Sequence, residues 1–369
     1  MDNKINGVKL ATGKAEEYLN NREIVSYREH RRNLIQWLLT YGKNPNLSEG
    51  YAQSTVKQRA YRLDKLYRKV WRAEGQYTED ITTVHADAWM TDLAESEYSR
   101  SYKVACQKAV KSLFKWKRHA KGRHVEWDPL LKFSQSRADN PRDFLTRNER
   151  QLIREASLSY GSVPHYSSVT PGERDRWKRH LAQRFGIPKA EVGLEEWNRA
   201  NSWKVPSIIW TAMDAGLRPI EVGRARVSWV DLDNGVLRIP KEDSAKNTEN
   251  WTVSLLDRTA LFLEEWLAER ELYDKYEHSD LLWLTRCCNP YSSRSLNRIF
   301  RKLCHEAGIN LSTRDLTWYS IRHSVGTYMT REEDLAAAAA QLRHKSVQTT
   351  MIYDQTPIED RRDALERMG

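Results

Sequence analysis

The sequence predicts a mainly α protein: an N-terminal helical bundle, then a larger, mostly helical α+β domain that carries a small antiparallel sheet. Three observations predict it. Apolar residues recur at helical spacing among charged ones through most of residues 12–120. One pair of strand-like runs, VLRIP and WTVSLL, flanks the polar turn KEDSAKNTEN and reads as a β-hairpin. Near the end, DLAAAAAQL (334–342) is a strong helix former.

Taken in order, residues 12–40 read as one helix with Ile24, Ile35, Leu38 and Leu39 on its apolar side. The loop YGKNPNLSEG follows. A second helix spans SEGYAQSTVKQRAYRLDKLYRKVWRAEG, a third TVHADAWMTDLAES, and a fourth runs from Ser99 to His119. The polar stretch DPLLKFSQSRADNPRDF marks a boundary, and we expect domains at 1–142 and 143–369. A helix restarts at LTRNERQLIREA, with Thr146 as N-cap and Glu149 where a capping box places it. Residues 157–202 hold turns and a helix near Arg174–Phe185, an elaboration within the second domain. VPSIIWTAMDAG is an apolar helix, LRPIEVGRARVSWV begins another, and DLDNG is a turn. After the hairpin, RTALFLEEWLAERELY is helical, and the tail is mostly helical from about Ser295.

A chain of 369 residues has the length for two or three domains. No apolar run approaches a membrane span, and the first residues lack the apolar core of a secretory signal. Cys106, Cys287, Cys288 and Cys304 form neither a disulfide lattice nor a standard zinc spacing. A reducing, cytoplasmic setting follows.

The formal charge is +10, and its distribution is informative. Residues 1–142 hold 27 Lys and Arg against 17 Asp and Glu, whereas the rest of the chain balances at 33 against 33. Residues 103–123 have eight cations and no acid: Lys103, Lys108, Lys111, Lys115, Lys117, Arg118, Lys121 and Arg123. Such a run suits a polyanion such as DNA; the plainer reading is a solvated helix face.

Several cationic groups stand at element edges. Arg218 opens the helix after Gly216, Lys246 lies in the hairpin turn, and Arg322 sits in WYSIRHSVGTYM. His344 follows the alanine-rich helix, and Tyr353 comes nine residues later on a short helix capped by Ser346. Arginines offer charged forks to phosphate oxygens. A phosphodiester attacked by an oxygen nucleophile builds charge that such donors stabilise. A tyrosine, with a free pKa near 10, needs cationic neighbours to act as that nucleophile. A lysine in a turn can protonate the leaving oxygen. The set calls for no metal and no cofactor.

This set resembles the tyrosine recombinases, the phage integrase class. The family's two arginines are similar to Arg218 in AGLRPIEVGRARVSWVDLDNG and Arg322 in WYSIRHSVGTYM, its hairpin lysine to Lys246 in SAKNTENWTVSL, its histidine to His344 and its nucleophile to Tyr353 in LRHKSVQTTMIY. The resemblance spans residues 143–369, and 1–142 resembles the family's core-binding domain more loosely. It implies a site-specific recombinase that cleaves and rejoins DNA through a 3′-phosphotyrosyl link. It also implies no need for metal or ATP, four subunits on paired duplex sites, and a home on nucleoid DNA. Alternatives from the same residues are a type IB topoisomerase and a noncatalytic DNA-binding protein derived from a recombinase.

Four further residues have open or supporting roles. Tyr319 stands where the family usually has histidine, and is either a site member or a packing residue. Glu221 is expected to orient an arginine, the alternative being a surface charge. His323 is structural or a phosphate neighbour, with a catalytic role as the alternative. Arg343 replaces the family's usual glycine and either contacts phosphate or faces solvent. Lys241 shares the hairpin turn with the favoured Lys246. The tail PIEDRRDALERM is an amphipathic helix that docks on a neighbouring subunit, as the family's tails often do, or on its own domain.

Overall fold

A computed structural model describes residues 3–120, 122, 126–134, 143–244 and 249–368. Lys121, Arg123 and Lys246 lie outside them, as does residue 142, the expected end of the first domain. The chain divides into two compact units, 1–139 and 140–369.

The first unit is helical, with one small hairpin at its start. Strands β1 (Lys4–Ile5) and β2 (Val8–Lys9) pair antiparallel across Asn6-Gly7. Both turn residues have positive φ, 44° and 71°, as a type I′ turn requires. The expected helix over 12–40 is two helices. α1 (Gly13–Glu16) stops, and α2 (Asn21–Thr40) starts afresh at Asn20. The Asn20 side chain accepts from the Arg22 and Glu23 amides while Glu23 returns a bond to the Asn20 amide, a capping box that sets a new helix start. α3 (Gln53–Glu74), α4 (Thr83–Glu95) and α5 (Arg100–Ala120) complete the bundle. Its core comes wholly from this unit, including Leu34, Leu38, Leu63, Tyr67, Trp71, Met90, Leu113 and Trp116.

The second unit is mainly α with a small sheet. α6 (Arg147–Leu158) begins at Thr146 with the expected capping box to Glu149. α7 (Pro171–Phe185) and the short α8 (Leu194–Asn198) form most of the 157–202 elaboration. Its Trp177 and Trp197 are fully buried, with Trp177 edge-on to Tyr273 at 5.3 Å. This segment therefore packs into the main core.

α9 (Lys204–Ala215) and α10 (Pro219–Arg224) follow. α10 is shorter than LRPIEVGRARVSWV suggests. After Arg224 the backbone turns extended, and it pairs with a later segment through Leu282 N–H to Ala225 O and Val227 N–H to Asp280 O. Strands β3 (Val230–Asp231), β4 (Val236–Ile239) and β5 (Trp251–Ser254) make an antiparallel sheet in sequence order. The expected hairpin is β4–β5, in the register Leu237 to Val253 and Ile239 to Trp251. Leu237, Ile239 and Val253 point into the core.

α11 (Asp257–Arg270), α12 (Ser293–Glu306), α13 (Trp318–Glu332), α14 (Leu335–Leu342), α15 (Val347–Thr350) and α16 (Ile358–Met368) complete the chain. The tail is not continuously helical from Ser295, because an irregular segment separates α12 from α13.

Candidate active site

The site is built where three chain segments meet. The first is the α9–α10 corner. α9 is apolar and almost entirely buried, and it ends at Gly216 with φ +57°. A Cβ there would lie 2.5 Å from Leu342 Cδ2, so both conformation and space call for glycine. Arg218 is then the N-cap of α10 with Pro219 at the first helical position, a favoured place for proline. Glu221 binds Arg218 twice, accepting from its amide at 2.7 Å and from its guanidinium at 2.9 Å.

The second segment is α13. Trp318 anchors its start, donating from Nε1 to the Leu217 carbonyl at 3.1 Å. One turn on, Arg322 is buried. It donates to the carbonyls of Gly216, at 2.6 Å, and of Leu342, and reaches His344 Nε2 at 3.0 Å. Three of its five N–H donors are thus committed, which leaves donors for a ligand oxygen. Burial, with Arg343 and Arg218 nearby, pushes its pKa down to about 9, while Glu221 and Tyr353 hold it up. The side chain is still a cation at neutral pH.

The third segment runs from α14 to Tyr353. His344 follows Arg343, which ends α14 in a left-handed conformation with φ +59°. A guanidinium only donates, so Nε2 of His344 accepts from Arg322. Its Nδ1–H then points at Thr350 Oγ1, 2.9 Å away. Tyr353 lies not on the helix after Ser346 but on the 3-10 turn Met351–Tyr353 that follows α15. Ser346 is the N-cap by position, though its side chain makes no capping bond.

The Tyr353 ring is 4% exposed and stacks on His344 at 5.7 Å with planes 8° apart. His323 tilts against it at 5.2 Å. Val325 and Leu342 complete the apolar seat. Gly326 leaves room for the ring, since a Cβ there would come within 2.6 Å of Tyr353 Cγ.

Glu221 joins the cations. It is buried and also binds Arg343, whose Nη2 lies 2.7 Å from its Oε2. Burial alone would raise its pKa, but Arg343, Arg322 and Arg218 outweigh burial and hold the carboxyl down to about 2. Three arginines around one carboxylate leave the pocket positive and suited to a phosphate.

The structure therefore brings Arg218, Glu221, Arg322, His323, Arg343, His344 and Tyr353 together. Lys246 lies outside the described residues. Tyr319, 42% exposed, stands one turn before Arg322 on α13. Arg343 corrects both sequence expectations. Its side chain neither faces solvent nor is placed for phosphate, because its donors go to Glu221 and to backbone carbonyls.

The basic run on α5 divides. Lys108, Lys111 and Arg118 are exposed, and Arg118 pairs with Glu126 at 3.1 Å. The other described lysines serve the fold. Lys103 donates to the carbonyls of Ala94 and Ser96, Lys115 to those of Gly42 and Lys43, and Lys117 to Asp80 and the Ile81 carbonyl. Their sequence periodicity did not separate the two groups.

A second basic surface was missed. α12 buries Leu296, Ile299, Phe300, Leu303 and Cys304, while Arg294, Arg298, Arg301, Lys302 and His305 line an open groove of about 790 Å³. The balanced charge of residues 143–369 hid it. A helix-by-helix count would have found four Lys and Arg against one acid, Glu306.

Residues 195–358 match the model of the phage integrase family. Tyrosine recombinase XerC of Chlamydia caviae is 26% identical over 140 residues, covering 38% of this chain and 43% of that protein. Tyrosine recombinase XerA of Saccharolobus solfataricus is 28% identical over 167 residues, 45% of this chain and 50% of that protein. The chain thus spans about half the length of the curated relatives it matches. Among solved structures, the XerH site-specific recombinase bound to a palindromic difH substrate, in a post-cleavage complex, is similar in fold with a TM-score of 0.58. The identity is 17%, over 94% of this chain and 88% of that one. A lambda integrase (75–356) dimer bound to a COC′ core site has a TM-score of 0.50 at 17% identity, over 88% and 98%. The segment 195–358 thus resembles the phage integrase family, and the solved recombinases share its fold.

Proposed function

We propose that this protein is a site-specific DNA recombinase that cleaves and rejoins strands through a covalent link to Tyr353. The observation that carries the reading is the seat of Tyr353: its ring lies against His344 and His323, and His344 is hydrogen-bonded to Arg322 of the same chain. The phenolic oxygen attacks the scissile phosphorus, forming a 3′-phosphotyrosine and releasing a 5′-hydroxyl. Arg218 and Arg322 hold the non-bridging oxygens as charge builds on them. His344 assists by holding Arg322 in place, the phenolic proton passes to solvent, and Lys246 protonates the leaving oxygen. A 5′-hydroxyl of the partner strand then reverses the step. The ester conserves the bond energy, so neither metal nor ATP enters.

Residues 1–142 act as the core-binding domain, with Lys108, Lys111 and Arg118 toward phosphates. The α12 surface supplies further contacts, and four subunits assemble on two duplex sites. The test is a nicked duplex taken from DNA flanking the coding sequence, on which cleavage cannot be reversed. Denaturation-resistant adducts from the wild type and none from Tyr353→Phe support the reading. Adducts from neither would leave a noncatalytic DNA-binding protein. Relaxation of supercoils without exchange between paired sites would indicate a topoisomerase.

A further inference from the structure

The residue before His344 has a backbone shape that favours glycine, yet it is arginine. Its φ of +59° lies in the left-handed region, where a side chain adds strain that glycine avoids. The guanidinium sits in the protein interior, 1% exposed. It makes five hydrogen bonds: two to Glu221, at 2.7 and 3.4 Å, and one each to the carbonyls of Ala215, Gly216 and Gln341, at 2.6, 3.3 and 2.8 Å. Ala215 and Gly216 form the corner that leads into Arg218, and Gly216 O also accepts from Arg322. One side chain therefore joins the segment carrying Arg218 to the turn presenting His344.

We propose that Arg343 is a positioning residue, which clamps Glu221 and through it Arg218, and locks the Arg218 corner to the His344 turn. It does not touch the reacting phosphate. The fork geometry is essential, because the guanidinium makes five hydrogen bonds from three nitrogens, whereas a lysine ammonium has three donors on one atom. The groups facing the Glu221 carboxyl are Arg218 from its own helix start, Arg343 from the end of α14 and Arg322 from α13, with His344 bonded to Arg322 behind them. Removing Arg343 takes away the strongest of the three cations. The buried carboxyl then gains a proton at higher pH and releases Arg218.

The proposal rests on the recombinase reading, so its test starts from wild-type adducts on the same nicked flanking duplex. Arg343→Gly suits the left-handed backbone while deleting the clamp. It should keep DNA affinity within about twofold, form adducts about 100-fold more slowly, as expected for a catalytic group held slightly out of place, and lose activity on acidification at higher pH than the wild type. Free guanidinium ion should restore part of the rate. Arg343→Lys should fall between the two and serves as the measured variant if Arg343→Gly does not fold. An unchanged rate and acid limb in a folded variant would overturn the proposal and leave the recombinase reading intact. So would loss of DNA affinity in step with rate, which would make Arg343 a ligand contact. Absence of wild-type adducts would sink the recombinase reading and this proposal with it.

Discussion

Glu221 and Gly326 carry the sharpest consequences at the scale of single residues. The Glu221 carboxyl is held at about 2, below its ordinary 4.5. A carboxyl depressed on folding contributes stability that is present above the unfolded pKa and lost as pH falls through the folded one. Its contribution, on the order of 3 kcal/mol from about 1.4 kcal/mol per pH unit, should vanish between about pH 4.5 and about pH 2. Urea unfolding of Glu221→Gln across that window should show a flatter acid limb than the wild type. At neutral pH it should be destabilised by about 3 kcal/mol, because Arg343 and Arg218 lose their counter-charge. Gly326→Ala puts a methyl 2.6 Å from the Tyr353 ring and 2.8 Å from Leu342. Overpacking of this kind costs about 1–3 kcal/mol. The ring should leave its seat, so adduct formation should drop at least about tenfold while DNA affinity holds. An alanine variant with wild-type cleavage would show that the seat does not matter.

Among elements, the two basic helices give contrasting expectations. Lys111 on α5 and Arg298 on α12 are exposed, so replacing either with Ala should reduce the slope of log affinity against log salt by about one if each meets a phosphate. Lys117 on the same α5 is buried against Asp80 and the Ile81 carbonyl. Lys117→Met should lower stability to urea and leave the salt slope unchanged. The contrast also marks the limit of reading charge from sequence. Composition located a cationic helix, but only packing decides which lysines turn inward. Helix starts were legible where side chains cap them, as at Thr146, and the β4–β5 hairpin was legible from its alternation. The β1–β2 hairpin carries a strong local signal in Asn6-Gly7, yet its two-residue strands are too short for periodicity to reveal. The split of α1 from α2 was written in the Asn20 and Glu23 capping box, masked by apolar spacing that runs across it. The residues around Tyr353 were legible by type and spacing. Arg343 was not, because its role depends on a turn that folds its side chain back across the corner at Gly216.

In the whole molecule, the two units have separate hydrophobic cores, and each core draws its residues from one unit. Fragments 1–134 and 143–369 should each unfold cooperatively when expressed alone, checked by urea denaturation followed by circular dichroism. The first should bind duplex DNA in a salt-dependent way without forming adducts. The central claim concerns where the DNA strand becomes attached. The most direct measurement digests the adduct trapped on a nicked duplex with nuclease and trypsin and identifies the modified peptide by mass spectrometry. The account predicts a nucleotide joined through its 3′-phosphate to peptide 346–361, in which Tyr353 is the sole tyrosine. An adduct on any other peptide, or a 5′-phosphate linkage, would contradict it.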